Sequence, residues 1–273
     1  MHYGEFVQGD LADIDALNSL FSAHQFDAVM HFASYIQVGE SVQKPAMYYE
    51  NNVANTLNLL NAMVKHDVKH FVFSSTAAIF GTPNYVPIDE EHPKAPINPY
   101  GRSKLMIEEI LADFDKAYGL KSACLRYFNA AGADPDGELG ERHEPETHLI
   151  PLILQAASGR RDNITIFGTD YDTPDGTCIR DYIHINDLCD AHMLALDKIM
   201  KEQCSTAFNL GNGDGYSVKD VLKTAEAVVG RAIPTQYGER RVGDPDRLVA
   251  DSKRAREELG WEPKYPALKD IIT

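Results

Sequence analysis

The regular alternation of short apolar runs with helical stretches is the feature that most constrains the fold of this chain. The apolar runs occupy residues 27–33, 71–76 and 122–128. Apolar residues with helical spacing at 14–21 precede the first run, and helices are predicted over residues 47–65 and 100–118. Strands that are apolar on both faces are typical of a buried parallel sheet. The sequence therefore predicts an α/β fold, a parallel sheet with helices on both faces.

The pattern changes after Asn129, where polar loops at 133–147 and 170–176 interrupt the alternation. We expect a sheet-forming domain over residues 1–129 and a smaller lobe over residues 130–273, with a strand near 207–210 that returns to the main sheet. A short strand is also predicted at residues 5–8. The remaining predictions are a strand at 164–167 and helices at 149–157, 186–200, 217–229 and 252–259.

Composition restricts the classes of protein and partner. The chain of 273 residues has a net charge of −15, which argues against binding to nucleic acid or to an anionic membrane. No apolar run approaches the roughly 20 residues of a membrane span, and the first residues do not resemble a signal peptide. The four cysteines form no CxxC pair. We therefore expect a cytoplasmic protein with reduced thiols.

A tyrosine and a lysine that share one helix face are the first candidates for catalysis. Tyr100 and Lys104 are four residues apart, and an ammonium beside a phenol lowers a phenol pKa that is ordinarily about 10. The spacing alone is weak, because Tyr265 and Lys269 repeat it. Thr76, which ends the preceding predicted strand, adds a hydroxyl for the same substrate oxygen. The three side chains together predict hydride-transfer chemistry at a carbon that bears a hydroxyl.

Two arginines in glycine-containing loops are candidate ligands of an anion. Guanidinium groups bind diphosphate oxygens well, and Arg180 and Arg241 both lie in such loops. The alternative is a pair of ordinary surface ion pairs, which are common in so acidic a chain. Placement in loops rather than on helix faces favours the anion site.

The combined motifs resemble the extended short-chain dehydrogenase/reductase superfamily, and within it the UDP-glucose 4-epimerase family. The resemblance covers essentially the whole chain. It implies a Rossmann-like sheet, NAD as cofactor, a UDP-sugar as substrate and a homodimer formed through the helices around Asn51 and Tyr100. The stretches that carry it are HFA (31–33), VGESV (38–42), YYENNV (48–53), FSSTA (73–77), PYGRSK (99–104), LRYFN (125–129), IFG (166–168), GTCIRDYIH (176–184) and RRVGD (240–244).

The resemblance also implies roles for individual residues. Tyr100, held as phenolate by Lys104 and by the cationic nicotinamide of the cofactor, would take the proton of the sugar 4-OH. Thr76 would hydrogen-bond the same oxygen, and hydride would pass from C4 to NAD and back. This interconverts UDP-glucose and UDP-galactose. The implied cofactor contacts are Asp10, Leu11, Phe32, Ala33, Asn51, Thr76, Tyr100, Lys104 and Phe128. The implied substrate contacts are Thr76, Asn129, His148, Phe167, Arg180, Arg241, Asp244 and Leu248, with no proton role for His148.

Related activities remain as alternatives. Nucleotide-sugar 4,6-dehydratases carry an acidic pair after the threonine, whereas this chain has Ala77 and Ala78, so elimination lacks its acid and base. A 4-ketosugar reductase or an epimerase of another nucleotide sugar stays open. Leu248, of intermediate size, leaves the acceptance of N-acetylated sugars undecided.

The first residues depart from the family pattern. The family opens with a strand, a G-x-x-G-x-x-G turn and a helix that hold the cofactor diphosphate, and the printed sequence contains no such motif. We therefore expect the first two strands of the family's sheet to be absent, NAD to bind weakly and the activity of this chain to be doubtful. An inactive fragment or a non-catalytic nucleotide-sugar binding module is the corresponding alternative function.

Overall fold

A parallel sheet of four strands forms the centre of the computed structural model, which describes residues 4–241 and 244–273. The order is β1-β2-β3-β8, and every neighbouring pair is parallel. The strands of the chain are β1 (Val29–His31), β2 (His70–Ser74), β3 (Lys121–Tyr127), β4 (Asn129–Ala131), β5 (Ile164–Phe167), β6 (Ile179–Arg180), β7 (Tyr182–His184), β8 (Thr206–Leu210), β9 (Tyr216–Ser217), β10 (Thr235–Gly238) and β11 (Arg247–Leu248).

The helices lie on both faces of this sheet because its strands are apolar on both faces. The helices are α1 (Ile14–Ala23), α2 (Val38–Gln43), α3 (Pro45–Tyr49), α4 (Asn55–Lys65), α5 (Pro99–Tyr118), α6 (Leu149–Ala157), α7 (Ile185–Glu202), α8 (Val218–Val229), α9 (Lys253–Leu259) and α10 (Leu268–Ile272). Phe71 and Phe73 of β2 point into a core shared with α1, α4 and α5, whereas Val72 between them points into a core shared with α7 and α9.

Part of the chain after Asn129 builds a second layer beside the sheet, whereas α7, β8 and α9 belong to the main sheet and its core. A third apolar cluster joins α6, α8 and α10, and β5 and β10 pair in a small parallel sheet. β4 pairs with β7, so the chain leaving β3 is connected directly to this layer. β8 lies in the main sheet beside β3. The substrate side of the predicted site is therefore built where the layer meets the carboxyl ends of the main strands.

Two predicted elements differ from the structure. The strand predicted at residues 5–8 is wrong: this segment is irregular, and Phe6 and Val7 are 68% and 50% exposed. Within the described part of the chain β1 is an edge strand that pairs only with β2, and residues 5–8 do not pair with its free side. The single helix predicted at 47–65 consists of α3, a π-helical turn over Glu50–Ala54 and α4.

Candidate active site

The first turn of α5 holds Tyr100 against the end of β2. Asn98 caps the helix, its side chain accepting the Gly101 N–H at 2.8 Å, and Pro99 occupies the first helical position. Thr76 follows β2 and caps a short 3-10 turn over Ala77–Ile79, accepting the Ala78 N–H at 3.1 Å. These local signals place the hydroxyl groups of Thr76 and Tyr100 on adjacent elements.

Gly101 permits the close approach of α5 to this turn. A Cβ atom at Gly101 would lie 2.4 Å from the carbonyl oxygen of Ala78, which belongs to the backbone and cannot move aside easily. Any larger residue would therefore push the start of α5 away from the turn that Thr76 caps. The glycine after Tyr100 is explained by packing at the site.

Lys104 is buried one turn further along the same helix. Its ammonium donates hydrogen bonds to the Ser34 hydroxyl and to the Ser74 carbonyl oxygen, both at 2.8 Å. It lies 4.9 Å from the ring centre of Phe73. Burial lowers the pKa of Lys104 to about 7, because the charged form is poorly solvated there. The amine therefore titrates near neutral pH in this structure.

The expectation that Lys104 lowers the pKa of Tyr100 stays a prediction. Burial raises the pKa of the Tyr100 phenol, and the Thr76 hydroxyl opposes that rise only in part. Lys104 hydrogen-bonds Ser34 and Ser74 instead, and its Nζ lies 6.0 Å from the ring centre of Tyr100. A phenolate at Tyr100 therefore requires positive charge beyond what the described residues bring to the ring.

A buried ion pair fixes α5 to the sheet. Glu108, one turn beyond Lys104, accepts two hydrogen bonds from Arg126 of β3, at 2.9 and 2.7 Å, and one from the Ser75 hydroxyl at 2.7 Å. Lys94 contacts the same carboxylate at 3.1 Å from a more exposed position. Although burial raises it, Arg126 and these other donors hold the pKa of Glu108 below its usual range. The pair sets the distance between the helix of Tyr100 and the strand ends.

A cavity of about 220 Å³ lies in the layer beyond the strand ends. Its floor and walls come from β4, the start of α6, β5, β6 and the loop that ends at Arg241. Six of the eight predicted substrate residues line it, namely Asn129, His148, Phe167, Arg180, Arg241 and Asp244. The residues that the sequence predicted for one ligand thus surround one cavity, although they come from distant parts of the chain.

The cavity carries two guanidinium groups in different settings. Arg180 donates to the Ile179 carbonyl oxygen at 2.7 Å and forms an ion pair with Asp244. Arg241 is exposed, and its guanidinium carbon lies 4.3 Å from the ring centre of Phe167. Asp244 also accepts a hydrogen bond from Tyr171, at 3.3 Å. Burial, with Asp244 nearby, raises the pKa of Tyr171 to about 12. Arg241 is the more available cation for an incoming anion.

Several predicted residues lie outside this cavity. Thr76, Tyr100, Lys104 and Leu248 are not among its lining residues. Leu248 and Phe128 pack instead against the buried cluster of Ile79, Phe80 and Ile88. Val242 and Gly243 of the RRVGD stretch lie outside the described residues. The substrate role of Leu248 stays a prediction without a contact that supports it.

Five of the predicted cofactor residues lie before α1, just after β1 or in the π-helical turn. Asp10 is exposed and caps the turn before α1, while the Leu11 carbonyl oxygen accepts the Asn58 amide at 3.1 Å. Phe32 and Ala33 follow β1 and are exposed. Asn51 belongs to the π-helical turn, where its amide donates to Asn52 at 2.9 Å. A π-helical turn is frequent at functional sites.

These residues fit one end of NAD better than the other. Phe32, 57% exposed, offers an open aromatic face beside Ser34, whose hydroxyl already receives the Lys104 amine. The exposed Phe32 ring suits stacking with a flat ring of the cofactor, and the donor group beside it suits the ribose hydroxyl groups. The residues before β1 include only Gly4 and Gly9 as glycines and offer no glycine-rich turn for the diphosphate. The nicotinamide nucleoside end fits, and the diphosphate end lacks its usual cradle among the described residues.

Sequence reasoning missed several residues of the site. Glu108 was detectable, because it continues the four-residue spacing of Tyr100 and Lys104 on one helix face. Ser34 and Asn52 had no such signal, since loop contacts set their positions: Asn52 donates to the Tyr35 carbonyl oxygen at 3.0 Å and to Ser103 at 3.2 Å. Cys178, the residue before β6, and Tyr182 of β7 also line the cavity.

Comparison with known proteins identifies the class. A family profile described as "NAD dependent epimerase/dehydratase family" matches residues 1–211. A UDP-glucose 4-epimerase of Halalkalibacterium halodurans is 53% identical over 267 residues, which are 98% of this chain and 80% of that protein. The chain therefore belongs to the NAD-dependent epimerase/dehydratase family. The predicted membership of the extended short-chain dehydrogenase/reductase superfamily is confirmed.

Solved structures agree with this assignment. A UDP-glucose 4-epimerase from Brucella ovis in complex with NAD has a TM-score of 0.96 and 48% identity, with 99% of this chain and 83% of that chain covered. The UDP-glucose 4-epimerase from Bifidobacterium longum in complex with NAD+ and UDP has a TM-score of 0.92 and 41% identity, with 97% and 80% covered. The predicted Rossmann-like α/β fold and the enzyme class, an isomerase, are confirmed.

These matches do not confirm two expectations, one about the N-terminal segment and one about the activity. They give no support to the predicted loss of an N-terminal strand-turn-helix, and the doubt about activity is not confirmed. Among the residues that the structure describes, none of the helices is both long enough and apolar enough to cross a membrane.

Proposed function

We propose that this chain interconverts UDP-glucose and UDP-galactose by transient oxidation at C4 of the sugar, with NAD as cofactor. The observation that carries the proposal is the set of Thr76, Tyr100 and the buried Lys104 at the carboxyl end of β2. The names of relatives that are about half identical to this chain support it. An arginine-lined cavity in the adjoining layer supplies a place for the nucleotide diphosphate.

The chain's own residues perform the proton chemistry in this proposal. Tyr100, as the phenolate, takes the proton of the sugar 4-OH and later returns it from the resulting hydroxyl, while the Thr76 hydroxyl holds the same oxygen by a hydrogen bond. Lys104 anchors this end of the site to Ser34 and to the β2 carbonyl of Ser74. Bound NAD supplies the hydride acceptor and donor. Because the phenol pKa is raised in the free chain, Tyr100 becomes a base only in the loaded site.

The remaining residues hold the two ligands. Arg180 and Arg241 bind the diphosphate of the sugar nucleotide, and the Phe167 ring offers a stacking face beside Arg241. Asn129, whose amide donates to the Asp181 carbonyl oxygen at 2.8 Å, closes the cavity toward β3. Asp244, His148 and Leu248 complete the proposed substrate contacts. The proposed NAD contacts are Asp10, Leu11, Phe32, Ala33, Asn51 and Phe128.

A product assay tests this function. The chain is incubated with UDP-galactose and increasing NAD, and the nucleotide sugars are separated by chromatography. We expect UDP-glucose to accumulate to an equilibrium mixture without net formation of NADH. Net reduction or oxidation of the cofactor would indicate a 4-ketosugar reductase or a dehydrogenase. Absence of product at saturating NAD, from a chain that still binds UDP in calorimetry, would indicate a binding module.

The oligomeric state and the cellular location of the protein are also proposals. We propose a homodimer formed through the helices around Asn51 and Tyr100, and a cytoplasmic location. The four cysteines are free in the structure, which suits a reducing compartment. Sedimentation of the purified chain tests the dimer directly, and a monomer at micromolar concentration would contradict it.

A further inference from the structure

The loop before α6 brings two histidines and two glutamates together at the rim of the cavity. Glu141, His143, Glu146 and His148 each offer one ligand atom, and these atoms all lie within 4.8 Å of one another. His148 Nδ1 lies 3.0 Å from a carboxylate oxygen of Glu141 and 3.0 Å from one of Glu146. His143 Nδ1 lies 3.5 Å from that same Glu146 oxygen. The sequence prediction gave this cluster no role beyond the substrate contact of His148.

Hydrogen bonds alone account poorly for this arrangement. One imidazole nitrogen carries at most one proton, yet two carboxylate oxygens approach His148 Nδ1 at the same distance. The Glu146 oxygen already accepts the backbone N–H groups of Thr147 and His148, at 2.7 and 2.8 Å. His143 Nδ1 is buried and forms no hydrogen bond with any described residue. The Nδ1 atoms of the two imidazoles therefore carry too few protons to give every nearby carboxylate oxygen a hydrogen bond.

Burial makes the negative charge of the two carboxylates costly in free energy. The Glu146 side chain is only 7% exposed, and the Glu141 carboxylate shares the same imidazole nitrogen from the solvent side. Two carboxylates this near to each other repel unless a positive charge lies between them. No lysine or arginine among the described residues forms an ion pair with either carboxylate.

We propose that Glu141, His143, Glu146 and His148 form a binding site for a divalent zinc ion. Imidazole nitrogen with carboxylate oxygen is a ligand set that zinc accepts, and four protein ligands are typical of structural zinc sites. Calcium and magnesium prefer oxygen ligands alone, so two imidazoles argue against them. The ion neutralises both carboxylates and gives the buried His143 nitrogen its missing partner.

The consequence of the site is a fixed cavity rim. His148 is the residue before α6 and lines the cavity, so a zinc ion ties the loop over residues 133–147 to the start of that helix. A closed four-ligand site leaves no open position for substrate, so the ion orders the rim and takes no part in proton transfer at Tyr100.

Zinc binding to the whole chain tests the proposal. The purified chain is treated with a chelator, and Zn2+ is titrated at pH 8 in competition with a fluorescent zinc indicator. We expect saturable binding of about one zinc per chain, as one closed four-ligand site requires. His143→Gln and Glu141→Gln should each weaken it by more than about tenfold, since loss even of a group that only hydrogen-bonds a metal ligand costs that much. His24→Gln and Glu138→Gln, the matched controls, should bind zinc like the unchanged chain.

Limited proteolysis gives a second readout that does not depend on activity. Zn2+ should slow cleavage within residues 133–147 of the unchanged chain and should leave cleavage of the two variants unaffected. If His143→Gln does not fold, Glu141→Gln carries the test, because that side chain is 37% exposed. Absence of saturable binding, or equal affinity in both variants and both controls, overturns the site. Equal affinity would assign the zinc to thiols or to other histidines.

Discussion

Tyr100 and Tyr265 have the same spacing to a lysine but different neighbours. Tyr100 lies beside Thr76 and one helical turn from a buried lysine, whereas Tyr265, which has the same spacing to Lys269, stacks on His184 with ring centres 4.4 Å apart. The spacing predicted two equivalent pairs. Burial and the strand end before Thr76 distinguish them, and those are tertiary properties.

Replacement of Tyr100 by phenylalanine removes the proposed base and keeps the ring. We expect Tyr100→Phe to lower kcat for the conversion of UDP-galactose by about 10²- to 10⁴-fold, the usual contribution of a positioned acid-base group. The matched control is Tyr265→Phe, which should leave kcat within about twofold. Initial rates at saturating substrate measure both, and an active Tyr100→Phe would remove Tyr100 from the mechanism.

The buried amine of Lys104 makes stability depend on pH in a defined window. The folded chain releases this proton at about pH 7, whereas the ordinary lysine pKa is 10.5, so between these values the unfolded state binds more protons. The free energy of unfolding should therefore rise from pH 7 to pH 9.5, by an amount on the order of a few kcal/mol.

Urea unfolding of the chain and of Lys104→Met at both pH values measures this slope. The variant keeps the apolar stem but has no amine, so we expect its free energy of unfolding to rise less by that same amount. Other titrating groups are common to both chains and cancel in the difference. Parallel pH dependence of the two chains would mean that Lys104 keeps an ordinary pKa.

At the scale of elements, α5 is positioned by charge as well as by apolar packing. Ile107 and Leu111 pack the helix on β2, but its place along the sheet depends on the pair of Glu108 with Arg126. A buried pair is costly to break, because the remaining partner keeps its charge without solvent.

Glu108→Gln should therefore destabilise the chain strongly. We expect a loss of about 3–5 kcal/mol in the free energy of unfolding, since Arg126 would stay buried and uncompensated. Asp113→Asn is the matched control on the same helix: its pair with Lys116 is about 80% exposed at 3.5 Å and should change stability by less than about 0.5 kcal/mol. Equal effects in urea unfolding would show that the buried pair does not anchor α5.

The elements themselves were largely predictable, and the exceptions have physical causes. Helix α5 was predictable because Asn98, Pro99 and the apolar stripe agree, and β2 because its residues are apolar on both faces. The segment at residues 5–8 has two apolar residues, Phe6 and Val7, as a short strand would, but it pairs with no described strand. The π-helical turn at Glu50–Ala54 has no periodic signal, since it adds one residue to an otherwise regular helix.

At the scale of the molecule, a net charge of −15 opposes the approach of an anionic sugar nucleotide. Arg180 and Arg241 must therefore offset, inside the cavity, the negative field of the whole chain. Arg241 faces the cavity over Phe167, whereas the adjacent Arg240 lies over Tyr171 and pairs with Asp246 at 3.0 Å. The resemblance implied that these substrate contacts surround one ligand, and six of them line one cavity. The rim of the cavity could not be predicted, because long loops form it.

Arg241 and its neighbour Arg240 allow a direct test of which arginine binds the diphosphate. We expect Arg241→Gln to raise KM for UDP-galactose by about tenfold or more, with little change in kcat, because a charge-assisted hydrogen bond to the diphosphate is lost. Arg240→Gln, which does not line the cavity, should leave KM within about twofold. Equal KM values for the two variants would place the diphosphate elsewhere.

The fate of the hydrogen at C4 tests the central claim most directly. UDP-galactose that carries deuterium at C4 is converted by the chain at saturating NAD, and the isotope content of UDP-glucose is measured by mass spectrometry. If hydride leaves C4 and returns to the opposite face of the same carbon, UDP-glucose should retain the deuterium, and NADH should not accumulate. UDP-glucose with hydrogen in place of that deuterium, or net NADH formation, would contradict the proposed oxidation and return at C4.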